Sequence, residues 1–367
     1  MPAAAPRADA APWLIALRAG VPARWLRHHP GPTPLIERLH AEIDRLESAP
    51  AAALRQALQH PDPARLEADL DWCAQPGHRL LHWAEADYPE RLRAIAQAPP
   101  LLFCQGDASL LSWPQLAIVG ARRASAQGLI EARRFAAALA GRGLAITSGL
   151  ALGIDGAAHE GALEAQGLTV AVCATGLDEV YPRRHQKLAA RIRDQGLLVS
   201  EFPPGTPPRA DHFPRRNRLI SGLSLGVLVV EAMRASGSLI TARLALEQGR
   251  EVFAIPGSIH QPLAQGCHQL IREGAKLTET VEDILEEIAA QLPAAPQAAA
   301  PAPAPDRAPA SADPLLAWLG EAPCTVDELA ARSGLAPAVL AERLLALELA
   351  GLVAEDGQGR LLRLHRR

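Results

Sequence analysis

The chain has 367 residues, 49% of them hydrophobic, and carries 37 Lys and Arg against 40 Asp and Glu, a formal net charge of −3. That length accommodates two or three domains with full cores, and the near-neutral total gives no overall signal for a polyanionic partner. The cysteines (Cys73, Cys104, Cys173, Cys267, Cys324) are far apart and form no CxxC pair, which argues against a disulfide framework or a cysteine metal site and favours a reducing compartment.

Residues 1–77 are rich in Ala, Leu and Arg with apolar residues at helical spacing, as in "PLIERLHAEIDRL", and are expected to form a small helical domain. "PWLIAL" is too short for a signal-peptide core and is closed by Arg18. No apolar run approaches the roughly 20 residues that span a bilayer, so a soluble, cytoplasmic protein with no membrane contact is expected. A connecting region follows, with a strand predicted at Leu101–Cys104.

From Gln115 the pattern changes. The short apolar runs "LAIVG", "LAIT", "TVAVCAT", "LLVSEF", "LGVLVVEA" and "EVFAIPG" alternate for the most part with segments of helical period such as "AQGLIEARRFAAALAGRG". Near-continuous strands alternating with helices predict an α/β fold, a Rossmann-like doubly wound, mostly parallel sheet, occupying residues 78–292 with its connecting region. Residues 293–312 are almost wholly Ala and Pro and read as a stiff extended linker. In residues 313–367, Thr325 and Glu328 form a capping-box pattern, "APAVLAERLLALELAG" a helix stopped by Gly351, and "LVAEDGQGRLLRL" a hairpin, the layout of a winged helix. This segment has 6 Arg against 8 acids, and its second helix offers Arg343 against Glu342 and Glu348. A helix entering a major groove needs cations and polar base readers, so the module is read as a protein-contact or regulatory unit.

In an open parallel sheet, ligands bind beyond the carboxyl ends of the strands. Those ends carry Gly120, Ser148-Gly149, Thr175-Gly176 and Ser236-Gly237-Ser238. Any one such loop is explained as a turn; four on one edge suit phosphate at helix N-termini. No GxxxxGK[ST] is present, and "GLALGIDG" spaces its glycines unlike the dinucleotide fingerprint, which leaves no cofactor expected. Asp155 and His159, at i and i+4, admit acid–base work, or an N-terminal helix acid with a hydrogen-bonded neighbour. Neither HExxH nor a Cys/His cluster marks a metal site.

Between Gln115 and Leu277 there are 19 Lys and Arg against 13 acids. The densest stretch, "HFPRRNRLISGLS", places Arg215, Arg216 and Arg218 around Asn217 with no acid inside it, and Arg209 and Arg183-Arg184 extend it. Either these arginines pair with acids elsewhere in the fold, or they stand unpaired as a track for the phosphates of a single-stranded nucleic acid. Their place at the ligand-binding edge favours the second.

"AIVGARRAS", "TSGLALGIDGAAHEGAL", "ATGLDEVYPRRH", "SEFPPGTPPRADHFPRRNRLISGLS" and "VVEAMRASGSLITARLALEQGREVFAIPG" resemble, in order, the motifs of the DprA/Smf DNA-processing proteins. The resemblance implies a non-catalytic protein that binds single-stranded DNA, dimerises through its Rossmann-like domain and loads RecA recombinase in natural transformation. It implies DNA-facing roles for Arg122, Arg183, Arg209, Arg216, Asn217 and Arg218, and backbone or loop-shaping roles for Gly149, Ser236, Gly237 and Ser238. With Ser148 and Arg215 these make up the expected site. Two departures are His268, where the family pattern usually has Asn, and the lack of a helix-hairpin-helix signature in the N-terminal segment. The rival reading is a Rossmann-fold nucleotide-processing enzyme, phosphoribohydrolase-like, which would want a PGGxGT-type loop that "RASGSLITARLALE" echoes faintly.

Overall fold

In a computed structural model of the chain, the described residues are 7–27, 35–43, 49–292, 315–319, 324–349, 352–355 and 360–363. The residues of the Ala/Pro linker, Gly351, Arg366 and Arg367 lie outside them. Two compact units form, Met1–Ala294 and Ala295–Arg367.

The apolar runs of the first unit all become strands, and two short segments not expected as strands, His78–His82 and Lys276–Leu277, join them at the two ends of the sheet. In chain order these are β1 (His78–His82), β2 (Leu101–Gly106), β3 (Gln115–Val119), β4 (Ala145–Ser148), β5 (Thr169–Val172), β6 (Leu197–Ser200), β7 (Gly226–Val229), β8 (Glu251–Ala254) and β9 (Lys276–Leu277). They build one sheet in the order β1-β2-β6-β5-β4-β3-β7-β8-β9. From β6 to β9 every pairing is parallel, while β1 and β2 add an antiparallel edge beside β6. β3 to β7 are buried along their whole length, as strands covered on both faces must be.

The strand order reverses between β3 and β7: the chain runs outward from β3 through β4, β5 and β6, then returns to the other side of β3. The return is made by the helix His212–Leu223, which lies over the sheet with Leu219, Ile220 and Leu223 packed against Val119, Val170 and Val172. The opposite face is covered by Ala126–Gly141 and Ile154–Glu164, with Phe135, Leu139 and Ile154 in its core.

The N-terminal helices share a core with the sheet. Trp13, Leu14 and Trp72 pack with Leu101, Phe103 and Leu198. Arg18 forms a bidentate pair with Asp69, at 2.6 and 2.8 Å, and also donates to the Pro204 carbonyl at 2.8 Å. This ties the helices to the segment that follows β6.

In the second unit, helices Leu315–Leu319, Val326–Ser333 and Pro337–Leu349 precede an antiparallel hairpin of β10 (Val353–Glu355) and β11 (Leu361–Arg363). The capping box forms as its pattern predicts: Thr325 accepts from the Glu328 N–H, and Glu328 accepts from the Thr325 N–H. Gly334 ends that helix at φ 66°, a left-handed conformation that glycine adopts without penalty.

Candidate nucleic-acid interface

The loops that leave β3 and β7 meet at the point where the strand order reverses, and between them lies a cavity of about 430 Å³. Such a crevice is where open α/β sheets hold their ligands. Arg122 comes from the β3 loop, Asp155 from the first turn of the helix after β4, and Phe213, Arg216 and Asn217 from the crossover helix. Ser236, Gly237 and Ser238 open the helix Gly237–Glu247 on the far wall.

Each wall has a local cause. Glu231, just beyond β7, accepts from the Ser125 N–H at 2.9 Å and its hydroxyl at 2.5 Å, which pins the β3 loop to the β7 loop. Ser125 in turn caps the helix Ala126–Gly141 through Gly128. A Cβ at Gly128 would collide with the Glu231 carboxylate, so the close approach requires glycine there. Across the cavity, the Ser236 hydroxyl caps the next helix and lies 2.7 Å from that of Ser238. The exposed Arg122 guanidinium sits 5.2 Å over the Phe213 ring. The Asn217 amide reaches the Gly237 carbonyl at 3.4 Å. An exposed cation, amide donors and a helix N-terminus converge, a combination suited to a phosphate oxygen.

The arginines expected to stand unpaired do not. Arg215 and Arg218, at i and i+3, both donate to Glu201 Oε2, at 2.9 and 2.6 Å. Glu201 follows β6 directly, and its side chain is 2% exposed. The neutralising acid comes from a neighbouring strand end, which the local composition of His212–Ser224 does not reveal. Arg218 is 10% exposed against 57% for Arg215, so only Arg215 keeps an open face.

Arg216 differs again. It shares the core face of its helix with Leu219, Ile220 and Leu223, at i+3, i+4 and i+7. Buried, it donates to the carbonyl of Val172, the last residue of β5, at 2.5 Å. Desolvation lowers its pKa, opposed by the nearby Asp155. The Asp155 carboxyl pKa is itself raised by burial, against the charge of Arg216 and hydrogen bonds from the Ala151 and Gly149 N–H groups.

Ser148 and Gly149, placed in the expected track, lie beneath it. The Ser148 hydroxyl is fully buried and donates to the Ile118 carbonyl at 2.6 Å. The Gly149 N–H donates to Asp155 at 3.0 Å, and a Cβ there would strike the Arg216 guanidinium. The neighbouring Leu150 holds φ at 57°, a strained conformation for a side-chain-bearing residue. Of Asp155 and His159, only Asp155 lines the cavity. His159 bonds Thr169 at 2.6 Å, and burial pushes its pKa down to about 3, so it is a neutral packing residue. Among the described residues no three His, Cys, Asp or Glu side chains form a metal-binding group.

Arg183 and Arg209 remain at the surface, 85% and 64% exposed, with acids at 3.8 Å (Glu179) and 3.3 Å (Asp211). Arg209 adjoins Ala210 of the cavity wall. Arg183 follows Tyr181, whose ring lies 5.6 Å from that of Phe213. Phe213, Tyr181, Glu201 and Glu231 escape a reading of the sequence alone, although each lies in or beside one of its motifs.

A doubly wound sheet with an anion-suited crevice at its switch point defines a Rossmann-like ligand-binding protein. Comparison with known proteins is narrower. Residues 79–289 match the family model of DNA recombination-mediator protein A, and residues 293–359 match the DprA winged helix domain. The chain belongs to the DprA/Smf family of DNA-processing proteins. It is 47% identical over 293 residues to protein Smf of Escherichia coli, covering 79% of this chain and 78% of that one. The crystal structure of DNA processing protein A from Streptococcus pneumoniae superposes with a TM-score of 0.66 at 37% identity, covering 75% of this chain and 96% of that chain. A structure describing a single-stranded DNA binding mode of the Helicobacter pylori protein gives 0.52 at 30% identity, covering 56% and 94%.

Proposed function

We propose that this chain binds single-stranded DNA along the carboxyl edge of its parallel sheet, without catalysing a reaction on it. The observation that carries the reading is the convergence of Arg122, Asn217 and Ser236-Gly237-Ser238 on one crevice at the switch point. Arg183, Arg209 and Arg215 are the exposed cations that extend it. Arg216, Arg218, Ser148 and Gly149 shape the track from beneath. The single-stranded DNA binding mode described for the Helicobacter pylori relative supports the same ligand. Membership of a recombination-mediator family supports the remainder: a cytoplasmic homodimer, joined through the Rossmann-like unit, that protects incoming strands and hands them to RecA recombinase in natural transformation. Among the described residues no helix is long and apolar enough to cross a membrane.

A salt titration with single-stranded, duplex and mononucleotide ligands tests this. Single strands should bind tightest, with log affinity falling steeply against log salt, and a mononucleotide should bind weakly. One observation favours the nucleotide-processing alternative: Asp155 is a buried carboxyl of raised pKa on the cavity wall, as a general acid requires. Turnover of AMP or DNA that Asp155→Asn abolishes would install that reading; binding without turnover is expected.

A further inference from the structure

Beyond the cavity, the crevice wall continues through a row of rings. Arg122 stacks over Phe213 at 5.2 Å, and Phe213 meets Tyr181 at 5.6 Å with the ring planes tilted by 55°. Tyr181 is 43% exposed, whereas the other tyrosine of the chain, Tyr88, is buried with its hydroxyl donating to Pro99. Beyond Pro182, the residue after Tyr181, come the exposed Arg183 and Arg184. An open aromatic face therefore lies between two cationic positions, Arg122 on one side and the arginine pair on the other. Phosphates held by such cations place the intervening base against the ring, and every base has a π-face to offer.

We propose that Tyr181 is a base-stacking platform, taking an unpaired nucleobase of any identity and extending the site beyond its phosphate contacts. This rests on the single-stranded DNA reading above and adds a specificity: a base still stacked in a duplex is unavailable to the ring, so Tyr181 contributes to preference for single strands.

The test compares an oligothymidine with an abasic strand of the same length and charge, on the full chain and its Tyr181→Ala and Tyr181→Phe variants. The wild type should bind oligothymidine about fivefold or more tightly than the abasic strand. Tyr181→Ala should lose about that factor for oligothymidine and nothing for the abasic strand, with an unchanged salt slope, while Tyr181→Phe retains wild-type affinity. Equal affinity of Tyr181→Ala and wild type for oligothymidine overturns the proposal. Absence of wild-type binding to either strand overturns the parent reading, and this one with it. Should Tyr181→Ala bind neither strand through misfolding, photocrosslinking of a 5-iodouracil strand to the wild type decides: an adduct on Tyr181 supports the platform, and adducts confined to other residues refute it.

Discussion

At the level of single residues, charge in this protein divides by exposure. Arg122, Arg183 and Arg209 face solvent and are open to phosphate, the last two beside Glu179 and Asp211, whereas Arg216 is walled in near Asp155. Arg216→Ala should remove the buried cation that favours the Asp155 carboxylate and the hydrogen bond to the Val172 carbonyl, and cost about 2 kcal/mol or more of stability, read by urea unfolding. Arg215→Ala should cost under about 1 kcal/mol, because its side chain is 57% exposed and Arg218 remains on Glu201. A reversed order would show that the Arg216 pocket is not structural. His159 sets an acid limit. Its folded pKa of about 3 lies below the ordinary 6.5, chiefly through burial, helped by the charges of His185 and Arg216. Above pH 6.5 the ring is neutral folded or unfolded and contributes no pH dependence. As pH falls from 6.5 towards 3, only the unfolded chain takes up the proton, so stability should drop by about 1 kcal/mol per pH unit from this group. Urea melts of the wild type and His159→Gln across that range should diverge accordingly; parallel curves would contradict the assignment.

At the level of elements, the crevice depends on tethers between neighbouring loops. Glu231 joins the β3 and β7 loops through Ser125, so Glu231→Ala should cost about 2 kcal/mol and also weaken single-stranded DNA binding by freeing the Arg122 loop. Unchanged affinity in that variant would place the loop's shape outside the binding determinants. How far these elements are legible in the sequence follows from what each depends on. The strands are visible because burial on both faces leaves a continuous apolar run, and the Thr325–Glu328 capping box because it is a local pattern. The pairing of Arg215 and Arg218 is not visible, since Glu201 reaches them from another strand end. The inward turn of Arg216 follows from its helical register with Leu219, Ile220 and Leu223. That register becomes readable once the arginines and the apolar residues are taken as one helix, His212–Leu223. The row of Phe213 and Tyr181 joins residues 32 positions apart and exists only in the fold.

At the level of the whole molecule, the sheet unit ends at Ala294 and carries every residue of the proposed contact set, while the winged-helix unit has an acidic balance. Removing everything after Pro293 should leave single-stranded DNA affinity within tenfold of the full chain; a larger loss would bring the winged helix into the DNA site. The central claim is that exposed arginines around the switch-point crevice neutralise phosphates. It is tested most directly by the salt dependence of binding in a folded Arg122→Ala, Arg183→Ala, Arg209→Ala triple variant. Each phosphate contact on a single strand contributes about −0.7 to the slope of log affinity against log salt. The triple variant should therefore flatten that slope by up to about 2 units and weaken binding similarly for strands of different sequence. A well-folded triple variant with the wild-type slope would contradict the account.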